Sequence, residues 1–371
     1  MKSRNTFRVI VLSPPLENSG GVGTLFKYAI PNFSPDVDVQ FIDTRGSKSN
    51  PAFSIFNVMG AVVALSAARI RGRVDVVHLN LGAKGSTLRK SILLLYSHFI
   101  LRLPNVVQLH SSSFDIFFDK SPKLVKFLIV NALSKSDQIL VLGEKWKEYL
   151  VSIGIPQNII SEFQMGVPDL TNGKVASGAG SRDLFSPFPL LLFAGAMGER
   201  KGLPNLLKAI AATKDLNPHL NVAGSGEVQF WEKQSQDLKI DELVEFHGLV
   251  SLEHIQELLI NSDILVLPSA AEGLPVSVLE GLSAAKIVLC TKVGSLTQFL
   301  QHDLNCFFLE TTSVESIVEN LNIILSVRTK SELTRIMQEA RLIWKQYFNA
   351  EDTTAELVLI WRKNATRKSD W

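Results

Sequence analysis

Residues 263–280 read Asp263-Ile264-Leu265-Val266-Leu267-Pro268-Ser269-Ala270-Ala271-Glu272-Gly273-Leu274-Pro275-Val276-Ser277-Val278-Leu279-Glu280. The apolar run Ile264 to Leu267 is a short strand signal that Pro268 stops. After a turn containing Gly273 the pattern becomes helical at Pro275, a residue tolerated in the first turn of a helix. Strand, turn and helix in that order are the unit of a parallel sheet covered by helices. Ligands of open sheets of this kind bind beyond the carboxyl ends of the strands, so the turn is a candidate site. The backbone N–H groups of Leu274, Val276 and Ser277 are placed to bind a phosphate, with the helix dipole favouring the anion. Glu272 stands before the helix, and Glu280, about one and a half turns into it, can reach a nearby hydroxyl pair. Two carboxylates eight apart have many innocent explanations; the strand–turn–helix setting favours the functional one.

The same alternation extends outward along the chain. In the second half, strands are expected at Pro189–Ala194, His219–Ala223, Val244–Phe246, Ile264–Leu267 and Ile287–Cys290, with helices between them. The first half repeats it with Phe7–Leu12, Val39–Asp43, Val74–Leu79, Asn105–Leu109 and Gln138–Leu142. Residues 171–188 are rich in Gly, Ser, Asn and Pro without periodicity, as in a linker. At its end the chain is helical from about 313 to 363, with Trp344, Tyr347, Phe348, Leu357 and Trp361 spaced as one apolar face. A length of 371 residues fits two domains rather than one core.

Composition narrows the classes further. With 46% hydrophobic and 20% charged residues the chain is an ordinary globular one, which excludes disorder. Cys290 and Cys306 form no Cys-x-x-Cys or Cys/His cluster, so no disulfide framework or metal site is expected and a reducing compartment is. The first apolar run stops at Pro14-Pro15, too soon for a signal peptide. The stretches 52–68 and 91–101 are apolar but fall short of the roughly 20 residues that span a bilayer, and read as buried helices. Charge is uneven: residues 1–175 hold 20 Lys/Arg against 12 Asp/Glu, and the remainder 18 against 24. Basic residues gather at Arg69, Arg71, Arg73, Lys84, Arg89, Lys90 and Arg102, then at Lys120, Lys123 and Lys126, and several of these lie beside the apolar stretches. That combination suits peripheral contact with an anionic membrane, or equally a solvated helix face.

Other motifs follow strand ends. Asn18-Ser19-Gly20-Gly21-Val22-Gly23 offers bare backbone before a helix, as a phosphate loop or a plain turn; its glycine spacing is not the dinucleotide fingerprint G-x-G-x-x-G. His110, followed by Ser111-Ser112-Ser113, is placed to hydrogen-bond a sugar hydroxyl or handle a proton near neutral pH, with His78 competing for the role. Arg200 and Lys201 beside Gly195, Gly198 and Gly202 would neutralise a diphosphate. Gly224-Ser225-Gly226 reads mainly as a structural turn.

With these residues in hand, the chain resembles family 4 of the retaining glycosyltransferases over essentially its whole length. The resemblance rests on Glu272 to Glu280 as a Glu-x7-Glu motif, on residues 263–269 before it, on the Lys201-Gly202 turn and on Gly224-Ser225-Gly226. Gly20-Gly21, His110 and Phe246-His247-Gly248 agree in position. It implies the GT-B fold: two Rossmann-like α/β/α domains facing each other across a cleft, with 1–170 for the acceptor and 189–345 for the donor. Residues 346–371 would form a helix returning to the first domain. The implied activity is metal-independent, retaining hexosyl transfer from a UDP- or GDP-sugar to a glycan or lipid-linked saccharide, in capsule, lipopolysaccharide or related cell-surface polysaccharide synthesis. No cofactor and no nucleic acid are implied, and the location would be the cytoplasm or the cytoplasmic face of a membrane.

By the same resemblance Glu272 would contact the transferred sugar, Glu280 the ribose, Lys201 with Arg200 the diphosphate, and His110 the sugar. Gly21, Gly23, Gly224, Gly273, Leu274, Pro275, Val276 and Ser277 would line the donor. The chain departs from the pattern where Ala196 replaces a common arginine, where Ala285 and Ile287 replace the usual Gly and Pro, and where Gln298 replaces a common glutamate. The departures keep a non-catalytic subunit of the same fold as an alternative, beside a nucleotide-sugar epimerase. A nicotinamide-dependent dehydrogenase is disfavoured by the missing fingerprint.

Overall fold

A computed structural model describes residues 6–16, 20–45, 51–171 and 188–367. Asn18 and Ser19 of the first glycine loop, and all of the expected linker except Thr171 and Phe188, lie outside the described residues. The chain divides into two compact units, Met1–Met165 with Ala350–Trp371, and Gly166–Asn349.

The first unit begins with β1 (Phe7–Ser13), α1 (Gly21–Ala29), β2 (Val37–Asp43), α2 (Pro51–Ile70), β3 (Val76–Leu81) and α3 (Gly85–Leu95). It continues with β4 (Asn105–Leu109), α4 (Phe114–Asp119), α5 (Lys123–Leu133), β5 (Gln138–Val141), α6 (Glu144–Ser152) and β6 (Ile160–Glu162). All six strands are parallel, in the order β2-β1-β3-β4-β5-β6. β3 and β4 are buried at every residue, as expected of central strands covered on both faces, while β2 at the edge alternates between exposed and half-buried positions. The sheet reverses its strand order beside β1: β2 lies on one side and all later strands on the other.

The reversal also sorts the helices. Right-handed crossovers place α1 on one face and α2, α3 and α5 together on the other; α2 packs on α3, and α3 on α5. The apolar stretches read as buried helices are only half so. Leu65 is wholly buried, but Phe56, Met59, Val63, Ile92 and Phe99 stand exposed. None of the described helices is long and apolar enough to cross a membrane.

The second unit contains β7 (Leu190–Ala194), α7 (Leu203–Ala212), β8 (His219–Ala223), α8 (Val228–Asp237), β9 (Val244–Gly248) and α9 (Leu252–Asn261). After these come β10 (Ile264–Leu267), α10 (Val276–Ser283), β11 (Ile287–Thr291), β12 (Phe307–Leu309), α11 (Val314–Asn322) and α12 (Lys330–Tyr347). Its parallel sheet has the order β12-β11-β10-β7-β8-β9, so here the reversal lies between β7 and β10. Two strands, β6 and β12, have no counterpart among the sequence expectations, being only three residues long each.

The final helical stretch is not one face. α12 ends at Tyr347, and α13 (Ala350–Arg367) follows as a separate helix of the first unit. Trp344 and Phe348 are buried in the second unit, Leu357 and Trp361 in the first, and Tyr347 is exposed. The break occurs where Gly166 faces the chain: a Cβ on Gly166 would fall 2.3 Å from the Phe348 carbonyl oxygen.

Candidate functional site

In the second unit the turn after β7 and the turn after β10 meet at the reversal of strand order, where open sheets of this kind leave a crevice. One backbone contact joins these two turns, and two further contacts tie the β10 turn to the end of β11 and the loop after it. The Ala270 N–H donates to the Arg200 carbonyl at 2.8 Å, Thr291 Oγ1 donates to the Ser269 carbonyl at 2.5 Å, and the Ser295 N–H donates to the Gly273 carbonyl at 3.0 Å. Gly202 has φ +76°, and a Cβ there would lie 2.1 Å from the Pro268 carbonyl oxygen; Gly294 has φ +59°, and its Cβ would lie 1.8 Å from that of Gly273. Both positions require bare backbone twice over, for conformation and for space. Gly294 and Thr291 escaped the sequence reading, although a glycine just after a strand is the available signal.

On this frame Lys201 Nζ lies 2.6 Å from Glu272 Oε1, and Arg200 Nη1 lies 3.4 Å from the same oxygen and 3.1 Å from the Ala271 carbonyl. Side-chain exposure separates the two cations: 14% for Lys201 and 11% for Glu272, against 58% for Arg200. The Lys201–Glu272 pair is therefore partly desolvated, where charge interactions strengthen, while Arg200 reaches over it from solvent. Ala196, at the position of the missing arginine, is exposed and adds no charge.

Pro275 is the N-cap of α10 rather than a residue of its first turn. The first N–H groups of an α-helix have no intrahelical acceptor, and Val276 and Ser277 supply two of them beside Gly273 and Leu274. Glu280 sits further along α10 with 4% of its surface exposed. Gly224 serves packing: its N–H donates to the Gly248 carbonyl at 2.8 Å, and a Cβ on it would fall 1.9 Å from the Gly195 carbonyl oxygen. Among the described residues, no three His, Cys, Asp or Glu side chains gather as a metal-binding group.

The first unit holds the remaining candidates. Gly21 and Gly23 form the first turn of α1, after Gly20 at φ +65°. β3 runs on to Leu81, so His78 is an interior strand residue rather than a strand end. Trp361 Nε1–H donates to His78 Nδ1 at 3.1 Å, which puts the His78 proton on Nε2 and directs it to Asn80 Oδ1 at 3.3 Å. His110 Nε2 meets the same oxygen at 2.9 Å and must also donate, leaving its Nδ1 as an acceptor. Asn80, absent from the sequence reading, thus accepts from both rings, Trp361 having set the tautomer of His78.

Burial pushes the His78 pKa down to about 4, against the opposing effect of Asn80. Burial first, then His78 and Lys90, hold His110 well below the usual range. This corrects the expectation that His110 handles a proton near neutral pH: the ring is neutral there, with hydrogen bonding as its chemistry. His78 is structural, wholly buried under Trp361.

Residues 181–342 match the family model described as glycosyl transferases group 1. An uncharacterized glycosyltransferase of Methanocaldococcus jannaschii is 24% identical over 240 residues, 61% of each chain. The N,N'-diacetylbacillosaminyl-diphospho-undecaprenol alpha-1,3-N-acetylgalactosaminyltransferase of Campylobacter jejuni is 23% identical over 214 residues, 54% of this chain and 56% of that one. The match thus spans less than two thirds of these relatives' lengths. Among solved structures, Anabaena HepE in complex with UDP and glucose superposes with a TM-score of 0.72 at 15% identity, over 95% of this chain and 99% of that one. That likeness is one of fold: two parallel α/β units in one chain.

Proposed function

We propose that this chain is a retaining, metal-independent transferase that takes its sugar from a nucleotide-sugar donor, a reading supported by the match of residues 181–342 to the glycosyl transferases group 1 model. The observation that carries the proposal is the Lys201–Glu272 pair at the reversal of the second sheet, beside the N-terminus of α10. In this reading the donor diphosphate lies against the first N–H groups of α10, and Lys201 and Arg200 neutralise the charge that develops on the leaving phosphate. Such preorganised donors and cations give the largest single contribution in many enzymes. Both cations occupy Oε1 of Glu272, so Oε2 accepts from the hydroxyls of the transferred sugar. Glu280 holds the ribose. On the first unit, Gly21 and Gly23 offer bare backbone, and His110 Nδ1 is an acceptor suited to a sugar hydroxyl. The acceptor hydroxyl attacks the anomeric carbon on the face from which the nucleotide departs, its proton passes to the leaving phosphate oxygen, and the configuration is kept.

HepE was solved with UDP, and the C. jejuni relative's name describes transfer to a diphospho-undecaprenol-linked sugar. The first supports a UDP-sugar donor and the second a lipid-linked saccharide acceptor for this chain, which we place in cell-surface polysaccharide synthesis on the cytoplasmic side. A thermal-shift screen against UDP, GDP, ADP, CMP and their sugar conjugates tests the donor. A ligand at about 100 times its Kd adds roughly 2.7 kcal/mol to stability. UDP and its conjugates should raise the midpoint selectively; a folded protein indifferent to every nucleotide would defeat the proposal.

A further inference from the structure

The helical layer of α2, α3 and α5 differs in kind from every other surface described above. Its three helices hold no Asp or Glu. Their cations are Arg69, Arg89, Lys123 and Lys126, besides Lys90, which is buried. Outward from the same helices stand Phe56, Met59 and Val63 on α2, Ile92 on α3, and Leu124 and Phe127 on α5. Val63 is 67% exposed, Ile92 58% and Phe127 63%. α1 and α7 also lack acids, but the large exposed apolar residues of α2, α3 and α5 have no counterpart on either; other helices carry acids, such as Glu144 and Glu148 on α6, Glu253 and Glu257 on α9, and Glu332 and Glu339 on α12.

A soluble surface does not gather large apolar side chains on three neighbouring helices without a purpose, because each leaves apolar area in water. The burial of Leu65 shows that α2 has an inward face of its own, so the outward residues are surplus to the core. Two chemistries cover such a layer: a second apolar protein face, or the boundary between lipid headgroups and acyl chains. The charge decides between them. A layer with cations and no carboxylate is complementary to a surface that is itself anionic, and would leave its cations unanswered against an identical copy of itself.

We propose that the α2–α3–α5 face docks the protein on an anionic lipid bilayer, with Phe56, Met59, Val63, Ile92, Leu124 and Phe127 entering the headgroup boundary. Arg69, Lys123 and Lys126 meet lipid phosphates, joined by Lys120, which lies just before α5. The inference is independent of the nucleotide reading, since it concerns a helical face of the first unit alone.

The test is cosedimentation of the full chain with vesicles of phosphatidylcholine alone and of equal parts phosphatidylcholine and phosphatidylglycerol, at low and high salt. Binding to the anionic vesicles only, weakened by salt, is expected. Two surface variants, Val63→Ser with Ile92→Ser and Lys123→Glu with Lys126→Glu, should each lower the partition at least about tenfold. Their folding is checked by thermal unfolding, and their nucleotide response should match the parent. Failure to bind anionic vesicles, equal binding to neutral ones without salt dependence, or variants that bind like the parent would each overturn the proposal. So would gel filtration showing a concentration-dependent dimer that both variants abolish, together with absent vesicle binding, because a second copy would then own the face. Loss of the nucleotide response in an otherwise vesicle-bound parent would leave this inference standing and remove only the transferase reading.

Discussion

Lys201 and Glu272 come from the loops after β7 and β10, the two strands on either side of the strand-order reversal, and their charged atoms lie 2.6 Å apart. The pair is built from opposite margins of one crevice. Its members are 71 residues apart, yet the Ala270–Arg200 backbone hydrogen bond fixes their separation before any side chain turns.

Lys201→Ala should therefore lower kcat by about 10²–10³, the loss typical when one preorganised charge-stabilising group is removed. The thermal midpoint should move little, because a partly exposed ion pair contributes modestly to stability. Steady-state kinetics with the donor found by the nucleotide screen, beside a melting curve, provide the check; unchanged kcat in a folded variant would remove Lys201 from the mechanism.

Ala285 offers a stability prediction with a different origin. It follows the last turn of α10 at φ +50°, where its N–H donates to the Leu282 carbonyl at 3.2 Å and the Lys286 N–H to that of Gly281 at 2.9 Å. This is the left-handed helix stop at which glycine is usual, and a Cβ in that conformation costs roughly 1–2 kcal/mol. Ala285→Gly should raise the unfolding free energy by about 0.5–1 kcal/mol, after the added chain entropy of glycine in the unfolded state. Urea unfolding measures it, and a destabilised variant would contradict the assignment. The departure from the family pattern at this position is thus a local cost in stability.

The third prediction concerns pH. The folded chain holds His78 neutral down to about pH 4, whereas an unfolded histidine takes its proton near 6.5. Below 6.5 the unfolded state binds the extra proton, so this contribution is complete above 6.5 and is lost as pH falls through the window to about 4. It amounts to about 3 kcal/mol. His78→Gln, whose amide oxygen can accept from Trp361 and does not titrate, should show a smaller stability difference between about pH 7 and about pH 4.5 than the parent. An equal difference in both proteins would show that His78 is not the group responsible.

Both sheets were legible because buried parallel strands read as short β-rich runs, and because bare or charged turns mark their carboxyl ends. The Glu272 turn could be read from one segment. Its tie to Lys201 could not, since it depends on which strands become neighbours. The same limit hid Asn80: nothing local marks an asparagine that will lie between two histidines from successive strands. His78 reads as a strand end because the apolar run stops by composition at Leu79, whereas pairing with β4 carries β3 on to Leu81. The outward residues of α2 and α3 read as core because hydrophobicity alone does not say which way a side chain faces. The final aromatics read as one face because spacing cannot reveal that Gly166 presses on the chain between them.

The hydrogen bond from Trp361 to His78 joins residues 283 apart and completes the first unit with α13. The ribosome makes β6 of that unit about 200 residues before it makes Trp361, an interval of roughly 10–40 s at ordinary elongation rates. Through that interval the nascent first sheet has no α13 over it, while all of the second unit, up to Asn349, is synthesised. The order of birth and the order of completion are thus reversed: the unit begun first is the last to close.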